Sequence, residues 1–138
     1  MKVLVACEFS QVICRAFRER GHEAYSCDIL PTEGNPEWHI QDDVLKHLDD
    51  GWDLMIAHPP CKYICNGGNN WLNRRPDLAW RENRELSTQF FMEFINASIL
   101  KIAVENPIGC MSSKYRKPDQ IIHPWMFGHD IRKDTCLW

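Results

Sequence analysis

KVLVACEFSQVICRAFRERGHEAYSCDI, residues 2–29, decides the fold class. KVLVA is an apolar, β-branched run that reads as a short strand. Residues 9 to 20 place Val12, Ile13, Ala16 and Phe17 at helical spacing, and Gly21 stops the helix. EAYSCDI then reads as a second strand, with Asp28 at its end and Pro31 and Gly34 in the loop beyond. A strand, a helix and a strand in so short a stretch make a βαβ unit.

The same alternation continues outward. Residues 38 to 40 suit a third short strand, followed by Asp42, Asp43 and a VLKHL helical turn that Gly51 stops. DLMIAHPP, residues 53–60, reads as a buried strand. A loop rich in Gly and Asn runs to residue 75, and residues 76 to about 100 make the longest predicted helix, with Leu86, Phe90, Phe94 and Ala97 on one face. KIAVENP (101–107) is a fifth strand, residues 109–133 are irregular, and TCLW begins a sixth. Strands alternating with helices predict a mainly parallel sheet covered on both faces, with ligands at the carboxyl ends of the strands.

The 138 residues, 44% hydrophobic and 25% charged, suit one globular domain. No stretch approaches the roughly 18 apolar residues of a membrane span, and the opening MKVLVACEF is too short and mixed for a secretory segment. A soluble intracellular protein is therefore expected. The seven cysteines are odd in number, which suggests reduced thiols rather than a disulfide framework. With 16 Lys and Arg against 19 Asp and Glu the net charge is −3, so any contact with nucleic acid has to be local.

Five strand ends would meet at the ligand crevice: Cys7 to Gln11, Asp28, Asp42 and Asp43, His58 to Cys61, and Glu105 to Pro107. A carboxylate ending the second strand suits a ribose diol, which points to Asp28. Asp43 is placed to accept from an adenine amino group; Asp42 competes for that role, and capping of the VLKHL turn is the structural alternative. ACEFSQV holds no glycine, which excludes a dinucleotide fingerprint and makes NAD and FAD poor candidates. Its backbone can still meet a smaller adenosine ligand, although Ser10 better suits a helix cap.

HPPC is the sharpest short signal. Two prolines fix the backbone at a strand end and present Cys61 rigidly, as a nucleophile requires, with His58 or Lys62 as cations to lower its pKa. The alternative is an inert buried thiol. Glu105 in ENP stands at the neighbouring strand end, where a carboxyl can protonate a ring nitrogen while Asn106 shapes the turn. A thiolate and an acid in one pocket suit pyrimidine chemistry: addition at C6, assisted at N3, makes C5 nucleophilic towards an activated methyl group. His58, Cys61 and Cys65, with Cys110 or His39, form a weaker zinc set, because the C-x-x-x-C pair lacks a matching second pair. Arg74, Arg75, Arg81 and Arg84, interleaved with Trp71 and Trp80, suit either phosphate contact or a solvated helix face.

ACEFS, CDI, DDV, HPPC and VENP, in that order, resemble the cytosine-5 DNA methyltransferases, and most closely compact phage and prophage members. The resemblance spans residues 3 to 107. It implies a Rossmann-like S-adenosylmethionine-dependent methyltransferase fold, with residues 1–138 forming a single catalytic domain. Pro60 and Cys61 fall on the family's proline-cysteine motif, and Glu105 and Asn106 on its Glu-Asn motif. The implied S-adenosylmethionine contacts are Cys7, Glu8, Phe9, Ser10, Asp28, Ile29, Asp43, Val44, His58 and Pro60, and no metal is implied. The chain departs from the family at Ser10 and Gln11, where glycines are usual, at Lys62 in place of Gln, and at Pro107 in place of Val.

A complete methyltransferase sheet has seven strands. With TCLW read within the sixth, the sheet is expected to be incomplete at its C-terminal strands and to lack a target-recognition domain, with Arg132 and Lys133 as faint substitutes for the family's arginines. The expected function is transfer of a methyl or related one-carbon group to cytosine C5 in DNA or a cytosine nucleotide, within the cytoplasm of a bacterial host. A free nucleotide or single strand is an easier substrate than a duplex, where a homodimer or protein partner would supply missing contacts. The alternatives are a catalytically degenerate phage protein that binds a nucleotide or a host protein, and a zinc-stabilised binding module.

Overall fold

The computed structural model describes residues 1–68, 78–131 and 133–138. It is an α/β protein with strands β1 (Lys2–Ala6), β2 (Glu23–Asp28), β3 (His39–Gln41), β4 (Leu54–Ala57), β5 (Lys101–Pro107), β6 (Gln120–Ile122) and β7 (Thr135–Leu137). The helices are α1 (Val12–Arg18), α2 (Leu78–Ile95) and α3 (Met111–Lys114). The strands form a mixed, mostly parallel seven-stranded sheet in the order β3-β2-β1-β4-β5-β7-β6. The chain divides into two compact units, Met1–His58 with Glu93–Ala103, and Pro59–Met92 with Val104–Trp138. No helix among the described residues is long and apolar enough to cross a membrane.

In the first unit β1 is central, parallel to β2 on one side and β4 on the other, and β2 pairs parallel with β3. Val3, Val5, Cys14 and Ala24 are wholly buried, with Ile13, Phe17, Trp38 and Leu54 packed on them. This is the alternation of a strand covered by a helix: Val3 and Val5 face α1, while Leu4, also fully buried, lies on the strand's other face. The left-handed Gly21 (φ 80) ends the first crossover.

The second unit holds the antiparallel part. β7 lies between β5 and β6, pairing Cys136 with Asn106 on one side and with Ile121 on the other. Trp138 closes this arm: it exchanges backbone hydrogen bonds with Val104 (2.9 and 3.1 Å), its ring stands edge-on to Phe91 at 5.3 Å, and its indole N–H donates to Arg116 O at 2.8 Å.

Three expectations change. The described residues form a seven-stranded sheet where one incomplete at its C-terminal strands was expected. Gln120–Ile122 lies in a stretch without hydrophobic alternation, so it is a strand only through its pairing with β7. TCL is accordingly the seventh strand. Second, α2 ends at Ile95 rather than near residue 100, and its buried positions are Thr88, Phe91 and Phe94, while Leu86 is 61% exposed. Apolar residues at 86, 90, 91, 94 and 95 satisfy helical spacing in more than one way, and packing chooses the stripe. Third, α1 begins at Val12 rather than Phe9, because Gln11 takes a left-handed conformation.

Candidate functional site

The site residues expected from the sequence fall into two groups, one in each unit. In the first unit, Cys7, Glu8, Phe9 and Ser10 line a cavity of about 270 Å³ with Val12, Ile13 and His58. The loop starts with a left-handed Cys7 (φ 60) whose amide donates to Cys27 O at 2.8 Å. Burial pushes the Cys7 thiol up to about 12, and Asp28, Cys27 and Asp43 add to the shift through their charge. Asp28 and Asp43 thus lie within electrostatic reach of Cys7. Cys27, also pushed up to about 12 by burial, is a core thiol.

Several of these side chains have structural duties. Glu8 is 6% exposed, and its carboxylate accepts from Ile13 N (2.7 Å) and Cys14 N (3.1 Å), so it caps α1. Ser10 Oγ accepts from Val12 N only at 3.5 Å; the cap expected of it falls to Glu8. Phe9 O accepts from Glu33 N and Thr32 Oγ1, which ties the first loop to the loop after β2. Asp28 Oδ1 accepts from Leu30 N, and Ile29 is exposed. Asp43 Oδ1 accepts from Leu45 N and so caps the 3-10 turn Val44–His47, while Val44 is buried. Asp42, the competitor for the adenine contact, pairs with Lys46 at 2.7 Å and His47 at 3.4 Å, and hydrogen bonding chiefly from Lys46 holds its carboxyl down at about 2.

A buried polar network beside this loop had no strong sequence signal. Gln11 is fully buried; its Nε2 donates to Ser26 Oγ (3.1 Å) and Asn35 O (2.9 Å), and its Oε1 accepts from Asn35 N (2.7 Å). His39 joins Ser26 Oγ at 2.8 Å and Leu30 O at 2.9 Å. The only sequence hint is a glutamine among apolar residues at the start of a helix.

The second unit holds the nucleophile and acid candidates. Cys61 and Cys65 line a cavity of about 340 Å³ with Asn66, Gly67, Pro107, Ile108, Lys133 and Asp134. Asn106 is 2% exposed, and its Nδ2 donates to Pro59 O at 2.7 Å, which fastens the end of β5 to the HPPC segment; Asn106 pairs within the strand rather than shaping a turn. Its Oδ1 is buried without a hydrogen-bond partner among the described residues. Glu105 precedes it on β5, half-buried and opposite Leu137. Pro60 borders a separate cavity of about 200 Å³ with Asn83, Leu86, Ser87 and Phe90.

The Cys61 loop is pinned from two sides. Cys65 N donates to Cys61 O (3.0 Å) and Cys110 N to Ile64 O (2.8 Å), while Trp80 stands edge-on to Tyr63 at 4.6 Å and donates to Gly68 O at 3.2 Å. Trp80 therefore packs against the loop. Burial pushes the Cys61 thiol up, Cys65 adds to this, and Lys133 pulls it part of the way back. Lys133 is a cation that acts on Cys61. Among the described residues no three His, Cys, Asp or Glu side chains gather as a metal site. Arg81 is exposed and Arg84 half-buried; Trp71, Arg74, Arg75 and Arg132 lie outside the described residues. No family model matches the chain, and no curated protein matches it.

Proposed function

We propose that this protein is a cytosine-5 methyltransferase-like enzyme that acts on cytosine in DNA or a nucleotide with S-adenosylmethionine as donor. The observation that carries the proposal is the Asn106–Pro59 hydrogen bond. It joins the segment that presents Cys61 to the end of β5, the strand that carries Glu105, beside a cavity that a pyrimidine ring can enter. The seven strands match the number in a complete methyltransferase sheet. The first unit suits the adenosine part of the donor: an apolar cavity at a strand-to-helix loop, with the Asp28 and Asp43 carboxylates close enough to act on the same thiol. Bound there, S-adenosylmethionine would supply an electrophilic methyl group.

Cys61, as thiolate, forms a bond to cytosine C6 while Glu105 delivers a proton to N3, so that C5 gains enamine character. The methyl group that the donor would supply would bond to C5 and leave S-adenosylhomocysteine; the C5 proton then passes to a base, the N3 proton returns to Glu105, and the Cys61–C6 bond breaks to return the thiolate. Lys133 favours the charged form of Cys61, and Asn106 holds the turn that aims it.

Calorimetric titration with S-adenosylmethionine and S-adenosylhomocysteine tests the proposal. Binding in the micromolar range, lost in Asp28→Ala, is the expected result, together with methyl incorporation into cytosine that disappears in Cys61→Ala. No binding of either ligand would sink it. The raised thiol of Cys61 favours a second reading, a binding protein that keeps the fold without the chemistry. In that case Cys61→Ala leaves ligand binding intact and the unmodified protein transfers no methyl group.

A further inference from the structure

The turn between β6 and β7 carries side chains that folding alone does not explain. In the 3-10 turn Pro124–Phe127, Trp125, Met126 and Phe127 are 63%, 54% and 68% exposed, and Ile131 just beyond is exposed as well. Consecutive large apolar residues facing water mark an interaction surface rather than a core. The turn is held in shape: Pro124 opens it, and Gly128 closes it in the left-handed conformation (φ 81) with its N–H on Trp125 O at 3.2 Å.

Trp125 is also oriented. The His123 ring stacks on the indole, with centroids 5.5 Å apart and planes at 15°, and His123 Nδ1 lies 2.6 Å from Asp134 Oδ1. Asp134 and its neighbour Lys133 line the cavity that holds Cys61. A continuous path of contacts thus runs from that cavity through Asp134 and His123 to an exposed indole, all within the second unit.

We propose that Trp125 and Phe127 form a stacking platform for the bases of single-stranded DNA, next to the Cys61 cavity; this deepens the reading of that cavity as a cytosine site and rests on it. Every base has a flat π face that an exposed aromatic ring can hold without reading sequence. Phosphate charge meets Lys133, which is exposed and lines the Cys61 cavity. Asp119 pairs with Arg116 at 2.6 and 2.9 Å and Asp134 hydrogen-bonds to His123, while Asp130 is the segment's third acid. A duplex keeps its base faces inside the stack, so single strands fit this surface better.

Fluorescence anisotropy with an end-labelled oligodeoxycytidylate and a duplex of equal length tests the proposal. Single-strand binding is expected to exceed duplex binding, to weaken about 5- to 150-fold in Trp125→Ala and in Phe127→Ala, and to stay within a few-fold of the original in Trp125→Phe. Thermal melting and S-adenosylmethionine titration of the same proteins should be unchanged, because these side chains are exposed and belong to the turn between β6 and β7. No single-strand binding, or equal binding by Trp125→Ala, overturns the platform. Self-association of the protein that Trp125→Ala abolishes also overturns it, since the occupant would then be a second copy. Single-strand binding without any affinity for S-adenosylmethionine overturns the methyltransferase reading and leaves the platform standing.

Discussion

Gln11 holds a left-handed backbone (φ 59) without a glycine's freedom, at a strain of about 1–2 kcal/mol. It stays there because its amide is buried and fully used by Ser26 and Asn35. Gln11→Ala should lower stability by about 2–3 kcal/mol in urea denaturation, through unsatisfied groups left at Asn35. Gln11→Gly should lose about 1 kcal/mol less, because it loses the same bonds but relieves the strain; a Gly variant no more stable than the Ala variant would show that the strain is absent. At Cys61 the sign follows from the causes of the shift. Burial and Cys65 raise the thiol above its usual range near 9, so its reaction with iodoacetamide should still be accelerating as pH rises past 9. Lys133→Ala removes the one lowering charge among those causes and should move the midpoint higher; Cys65→Ser should move it lower. Mass spectrometry of the labelled protein separates Cys61 from Cys7 and Cys27, which should label last because their thiols are pushed up to about 12. Glu105, expected at a strand end, lies within β5 opposite Leu137, whereas the position of Cys61 past β4 was legible in the sequence because prolines mark a strand's end. The raised thiol was not, since it depends on how deeply the loop is buried.

At the scale of elements, the loop after β4 is shaped as much by Gly109 as by its own residues. A Cβ on Gly109 would sit 2.6 Å from Cys65 Cα and would collide with Ile64 O, both backbone atoms that cannot swing away. Gly109→Ala should therefore cost about 1–3 kcal/mol in thermal or urea unfolding and should change the alkylation rate of Cys61, since the loop it displaces begins at that residue. An unchanged melt would mean that the loop relaxes freely. The reading of GC in residues 109–110 as the start of an irregular stretch overlooked this, because close approach of two backbones leaves no trace in hydrophobic pattern. The same blindness explains β6, a strand of three residues defined by its partner, and the stripe of α2, where several apolar faces were available and packing selected Thr88, Phe91 and Phe94. Elements whose pattern was sufficient, β1, β2 and β4, were legible because each is an apolar run bounded by turn residues.

For the whole molecule, the sheet depends on an arm of three-residue strands, too short to persist alone. Trp138 supplies what they lack, through its backbone pair with Val104, its ring on Phe91 and its indole bond to Arg116. Trp138→Ala should destabilise the protein by about 3–5 kcal/mol, seen as a lower urea midpoint. Loss of hydrogen-exchange protection should spread over β5, β7 and β6, with β1 and β2 affected last; uniform loss across all strands would contradict a separate role for this arm. The sequence by itself determined the α/β class, the parallel βαβ start and the order of the polar residues at strand ends, because those follow from local periodicity and turn chemistry. Only the tertiary structure decided that the sheet has seven strands, that Glu8 caps a helix, that Asn106 fastens Pro59, and that Lys133 acts on Cys61. Each of these is a contact between residues far apart in the chain or a choice among equal local patterns, and short-range spacing carries no information about either.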